Sequence, residues 1–323
     1  MKLNLPILDQ LQDAQTILIA GAGGGFDIFA GLPIYFTLRE MGKTVHLANY
    51  SFMDFKLACA LDKPEIIEEG LVMGTRGKTR LDLGYYPEAY LSQWFKATRD
   101  EDMIVWMFPK MGVQAIKSAY QTLIAHLGGV DAIILVDGGV DSIMRGDEAG
   151  AGTLMEDTIS TGAVQMLDDV PIKILACVGF GTEVEEAVCH HHALENIAAL
   201  MMEKAFYGSC ALAPQMDAFK QYESACRFAW EQPNRHKSHI STRIIPAVHG
   251  NFGNYAMYEE FRHSTGLISP LMSLYWFFES DAVTRRSLLL DDIRETYTFE
   301  EAFQIIARKR ISMSLRPRKS IPY

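Results

Sequence analysis

The chain has 323 residues, 49% hydrophobic and 22% charged, which is the composition of a folded protein with a sizeable core and not of a disordered one. Acidic residues outnumber basic ones by 40 to 30, so the molecule as a whole repels polyanions and general nucleic-acid binding is disfavoured. No apolar stretch approaches the roughly 20 residues that span a bilayer, and the 5 cysteines include no CxxC pair, so a non-membrane, cytoplasmic protein with reduced thiols is expected.

At the start, MKLNLPILDQLQDAQ interrupts its apolar run with Asn4, Pro6 and Asp9, and no secretion signal is expected. Short runs rich in β-branched residues and stopped by Gly or Asp then predict buried strands at Thr16 to Ala20, Thr44 to Ala48, Met103 to Phe108, Ala132 to Val136, Ile172 to Val178 and Arg243 to Val248. Helical patterns such as Val113 to Leu127 and Ala187 to Phe206 lie between them. This alternation predicts an α/β fold, Rossmann-like and doubly wound, with a mainly parallel sheet and helices on both faces. A single domain over 1–323 is expected, with a lid or insertion over 61–95, where glycine turns dominate, and a helical insertion over 201–235. Capping boxes are expected at Thr153 with Glu156, Thr182 with Glu185, and Thr298 with Glu301. The basic tail from Arg308 to Lys319 reads as a solvated end or a subunit contact, which leaves a homo-oligomer open, with anion binding as the alternative.

Two loops carry the chemistry. The first, GAGGGFD, follows the first strand; its glycines Gly21, Gly23, Gly24 and Gly25, with Asp27 behind them, would let consecutive amides face a phosphate. It is not a nicotinamide fingerprint, because Phe26 stands where GxGxxG needs glycine and Asn49 stands where a ribose-binding acid belongs. No Gly-Lys-Ser/Thr follows, so it is not a Walker loop either. The second loop, Asp137-Gly138-Gly139-Val140-Asp141 with Gly146-Asp147-Glu148, sets carboxylates among glycines beyond a buried strand. Asp137, Asp141, Asp147 and Glu148 are therefore candidate Mg²⁺ ligands, and Asp137 and Asp141 candidate catalytic groups.

With ILIAGAGGGFDIFAGLPI followed by DGGVDSIMRGDEAGAGTLMEDTI, the chain resembles the family known as domain of unknown function 1152. The resemblance runs from Gly21 past Ala198. It implies a Rossmann-like fold and an archaeal or bacterial cytoplasmic setting, and it carries no activity.

Further loops could join these at one rim of a parallel sheet: Gly179-Phe180-Gly181-Thr182-Glu183 as a second anion-binding turn, and His249 to Asn254 as a polar contact. The run Cys189-His190-His191-His192 is read as structural, because consecutive helical residues diverge by about 100°. Tyr85, Tyr86 and Trp94 are expected in the core before any stacking role. No GxSxG elbow is present. The leading expectation is a Mg²⁺-dependent enzyme acting on a nucleotide or other phosphorylated small metabolite, by phosphoryl transfer or hydrolysis, a ribosyl bond included. A non-catalytic nucleotide-sensing module is the alternative, and a nicotinamide or flavin oxidoreductase the third reading.

Overall fold

The computed structural model describes residues 6–78, 85–232, 236–263 and 266–321 of the chain. Nine strands form one sheet: β1 Thr16–Gly21, β2 Thr44–Tyr50, β3 Glu65–Glu68, β4 Val72–Thr75, β5 Val105–Phe108, β6 Ala132–Asp137, β7 Ile172–Val178, β8 Phe206–Ala211 and β9 Leu274–Glu279. Their spatial order is β3-β4-β5-β2-β1-β6-β7-β9-β8. The central five, β5-β2-β1-β6-β7, run parallel. An antiparallel pair closes each side, β3-β4 on one and β9-β8 on the other.

Alternation along the strands splits the core in two. Ile17, Ile19, Ile134 and Val136 point to one face, where helices Leu32–Glu40, Pro87–Arg99 and Asp217–Trp230 pack. Leu18, Ala20, Ile133 and Leu135 point to the other, covered by Val113–Leu127, Leu154–Gln165, His190–Met202 and Phe299–Ser312. Because helices cover both faces, β6 is buried at every position and reads as the continuous apolar run AIILV before Asp137. Truncating Ile134 to Ala at the centre of this layer would cost about 2–5 kcal/mol, the range for a large aliphatic side chain in a closed core.

Several expectations are corrected. Arg243 to Val248 is a helix, Ser241–Val248, and not a strand. The Ser238 hydroxyl accepts from the Ser241 amide at its start, and Pro246 has no N–H to give a central strand. The stretch 201–235 is not wholly helical: Phe206–Ala211 pairs with β9 as a strand, and only Asp217–Trp230 is a long helix there. Within the stretch 61–95, expected to be dominated by glycine turns, Met73 to Thr75 lie in β4, which pairs with β5. Part of the glycine-punctuated stretch 61–95, including Gly84, falls outside the described residues.

The capping boxes separate in the same way. Thr298 and Glu301 form one, with both reciprocal bonds present. Thr153 instead donates to Asp141, and Thr182 turns back on the Gly179 carbonyl while Glu185 pairs with Arg243. Among the described residues no helix is long and apolar enough to cross a membrane.

Candidate functional site

The loops that follow β1, β6 and β7 meet at one end of the sheet, around a cavity of about 490 Å³. The first turn of helix Leu154–Gln165 brings Asp157 to the same place, and residues 236–240 form the opposite wall.

After β1, Gly24 (φ +92°) and Gly25 (φ +59°) both take left-handed backbone, which only glycine adopts in succession without strain. This bend returns the Gly23 amide onto Asp27 Oδ2 at 2.7 Å. The other oxygen of Asp27 accepts from the Gly138 amide at 3.2 Å, so one carboxylate ties the loop after β1 to the loop after β6. Asp137, the last residue of β6, accepts from the Ser142 amide and hydroxyl. Asp141 accepts from the Thr153 amide at 2.6 Å and its hydroxyl at 2.9 Å. Glu183 accepts from the Val140 amide at 2.6 Å. Asp157 is different: its Oδ1 is buried and has no hydrogen-bond partner among the described residues.

These five carboxyl groups all line the cavity, and they fall into two close groups of three. One oxygen each from Asp27, Asp137 and Asp157 lie within 4.8 Å of one another, and so do one each from Asp137, Asp141 and Glu183. Asp137 belongs to both groups.

Burial disfavours the charged form of each acid. It lifts Asp27 from an ordinary 3.8 to about 7, against the pull of the Gly23 and Gly138 amides. It drives Asp137, Asp157 and Glu183 well above the usual carboxylate range, with the neighbouring acids adding to the rise. Asp141 is raised by burial too, partly offset by hydrogen bonds from Glu183 and Thr153. The lysines at the cavity wall do not neutralise this charge, because Lys110 pairs with Glu156 at 2.9 Å and Lys237 with Glu260 at 2.7 Å. Phe52 and Tyr85 also face the cavity, their rings 6.4 Å apart and within 23° of parallel.

Of the residues singled out from sequence, Gly23, Gly24, Asp27, Asp137 and Asp141 line the cavity. Gly21 lies behind it, where a Cβ would run into the Asn49 side chain, and Gly25 packs under the Tyr85 ring. Asp147 and Glu148 are elsewhere. Glu148 is fully buried and accepts from the Arg145 and Gly146 amides, Asn196 and Arg316, while Asp147 pairs with Arg316 at 3.0 Å. They anchor the tail, which is correspondingly not a free solvated end at Arg310 and Arg316.

Gly179 and Gly181 (φ +96° and +94°) shape the turn that presents Glu183, but neither lines the cavity; Gly181 borders a separate hollow beside His190. His249 follows a helix and pairs with Glu223 at 2.9 Å. His191, His192 and Glu195 come within metal-binding distance of one another, yet Arg316 already holds Glu195 at 2.7 Å. Tyr86 and Trp94 are core residues.

Asp157 was not legible as a site residue. The available signal was its place at helical spacing with Leu154 and Thr161, on the buried stripe of its helix, where an acid needs a reason.

A family model described as "Protein of unknown function (DUF1152)" matches residues 85–316. Asp137, Asp141, Asp157 and Glu183 lie inside that span and Asp27 precedes it. No curated protein and no solved structure matches the chain.

Proposed function

Because the chain belongs to the DUF1152 family, whose description names no activity, we propose a function from the chemistry of the cavity: a Mg²⁺-dependent enzyme acting on a nucleotide or another phosphorylated small molecule, by phosphoryl transfer or hydrolysis. The observation that carries this reading is the set of five carboxyl groups facing one cavity, four buried and Asp27 half-buried, with oxygens within 4.8 Å in groups of three. An all-oxygen, anionic donor set suits a hard cation, and a buried set of this kind is costly without one.

The fold supports the same reading. Taken in chain order, the five parallel strands lie 3-2-1-4-5, an order that fits a Rossmann-like doubly wound sheet, and ligands of such sheets bind where the order reverses. That reversal lies between β1 and β6, the strands that end next to Asp27 and at Asp137.

Asp137, Asp141 and Glu183 would hold the cation, which supplies charge to bind and polarise a phosphate oxygen. Asp27, raised to about 7, is poised to take a proton near neutral pH from a water or substrate hydroxyl. In hydrolysis the water oxygen bonds to phosphorus, its proton passes to Asp27, and the bond from phosphorus to the leaving oxygen breaks. The Gly23 amide is committed to Asp27, so the glycine loop contributes by holding a carboxylate as well as by leaving room for phosphate. Phe52 and Tyr85 offer apolar ring faces to the rest of the ligand.

The test is a thermal-shift panel of nucleotides and sugar phosphates, with Mg²⁺ and with chelator, paired with a phosphate-release assay. Expected are stabilisation by ligand that depends on Mg²⁺ and its loss in Asp137→Asn and Asp141→Asn. Stabilisation equal in chelator would reject the cation. Mg²⁺-dependent binding without turnover would favour a nucleotide-sensing module instead.

A further inference from the structure

We infer that the cavity takes two divalent cations bridged by Asp137, one held by Asp137, Asp141 and Glu183 and the second by Asp27, Asp137 and Asp157. This rests on the cation reading above and deepens it: a single ion among Asp137, Asp141 and Glu183 leaves Asp157 unexplained, and with the second ion bound Asp27 would serve as its ligand in place of the proton acceptor, a cation-bound water being acidic by itself.

Asp157 carries the inference. The residue is 1% exposed, it faces the cavity, and its Oδ1 has no partner among the described residues. A buried carboxylate oxygen without a donor is costly, and one oxygen of the same carboxyl group lies within 4.8 Å of oxygens of Asp27 and Asp137. Asp27 is not its partner: both Asp27 oxygens accept, from the Gly23 and Gly138 amides, and no hydrogen bond joins Asp27 to Asp157 Oδ1. Those amides fix Asp27 with further acceptor capacity to spare, as an ion ligand must be fixed.

Charge points the same way. The five carboxylates of the two groups carry five negative charges when ionised, Glu186 at the cavity wall adds a sixth, and the cavity lysines are spent on Glu156 and Glu260. Among the five, one divalent ion leaves three charges uncompensated, whereas two leave one. Ions sharing one carboxylate typically sit about 3.5–4 Å apart, a spacing that grips both the attacking and the leaving oxygen of a phosphoryl group. The donors are all carboxylate oxygens, which favours Mg²⁺ or Mn²⁺ over thiolate- and imidazole-seeking metals. The ligand class that follows is a phosphate ester or anhydride with oxygens free to touch both ions.

Mn²⁺ is the probe. Equilibrium dialysis of the full chain with Mn²⁺ is expected to reach two ions per chain, and electron paramagnetic resonance of the loaded protein should show the broadening of two coupled ions. Asp157→Asn, which keeps shape and removes charge, should lower the stoichiometry from two to one, and Glu183→Gln should do the same from the other side. Saturation at one ion in the parent protein overturns the second cation and leaves the single-cation reading standing. So does a stoichiometry of two that Asp157→Asn does not change. No bound Mn²⁺ at all overturns both. Because the parent stoichiometry and spectrum decide without any variant, a variant that fails to fold does not blunt the test.

Discussion

The Gly23 amide donates to Asp27 Oδ2 at 2.7 Å, and a Cβ built on Gly23 would stand 2.9 Å from that same oxygen and 3.2 Å from each carboxylate oxygen of Asp157. The residue therefore has to be glycine for the acids around it to come together. Gly23→Val should keep a cooperative fold and lose the stabilisation by Mn²⁺ or Mg²⁺. In the parent protein a ligand at about 100 times its Kd adds roughly 2.7 kcal/mol, a rise of several degrees in melting temperature. Melting curves with and without metal measure it; an unchanged increment in Gly23→Val would mean that the loop does not shape the site.

A pH dependence follows from Asp27. Its carboxyl ionises near 3.8 in the unfolded chain and near 7 in the folded one, so between those values the folded state holds the extra proton. The metal-free protein should be most stable with respect to this group below about pH 4 and lose stability as pH rises through 7, by up to about 1.4 kcal/mol per pH unit. Asp137, Asp157 and Glu183, also raised by burial, add to the decline in the same direction. Divalent cation should flatten it. Urea unfolding across this range, with and without Mg²⁺, tests the sign, and a metal-free stability that climbs with pH would contradict the buried acids.

Arg316 binds Glu148 at 2.9 Å and Asp147 at 3.0 Å, 168 and 169 residues away in sequence. Arg316→Ala removes one ionic partner from the buried Glu148, which keeps the Arg145 and Gly146 amides and Asn196. The expected cost is about 1–3 kcal/mol, with Mn²⁺ affinity unchanged. A titration in which this substitution abolishes metal binding would return Asp147 and Glu148 to the candidate ligands.

Glu88 stands behind the glycine loop, fully buried, and accepts from Asn49 Nδ2 at 2.7 Å; the same nitrogen donates to the Gly25 carbonyl at 2.9 Å. Burial pushes Glu88 up. Glu88→Gln should therefore be tolerated within about 1 kcal/mol, since it keeps the acceptor and removes a buried charge. Glu88→Ala should cost about 2–4 kcal/mol through a cavity and a lost acceptor, and should weaken Mn²⁺ binding by loosening Gly25. Equal stabilities for the two variants would mean that Asn49 does not depend on this acceptor.

The central strands were legible because helices on both faces leave an uninterrupted apolar run, ended by a residue that lines the cavity, as in AIILVD of β6. Asp27, Asp137 and Asp141 were legible for the related reason that they lie among glycines at strand ends. Arg243 to Val248 was not, because six mostly apolar residues fit a buried strand and a buried helix equally, and the deciding Ser238 cap lies upstream. Asp147 and Glu148 match the acidic pattern of their neighbours; what sets them apart is Arg316, a contact no local pattern encodes. Asp157 is hidden in the opposite way, an acid inside a helix whose exposure only the packed fold decides.

Strand β8 is made before β9 yet sits outside it, so the apolar edge of β7 has no partner until Leu274–Glu279 exists. A growing chain thus carries β7 with one side bare while roughly a hundred further residues are added, on the order of 5–20 s at common rates of synthesis. An unpaired strand edge of Ile174, Leu175 and Ala176 is a template for pairing with another nascent chain. Yield in a heterologous host should consequently respond to chaperone supply and to translation speed between residues 178 and 274 more than to the stability of the finished molecule.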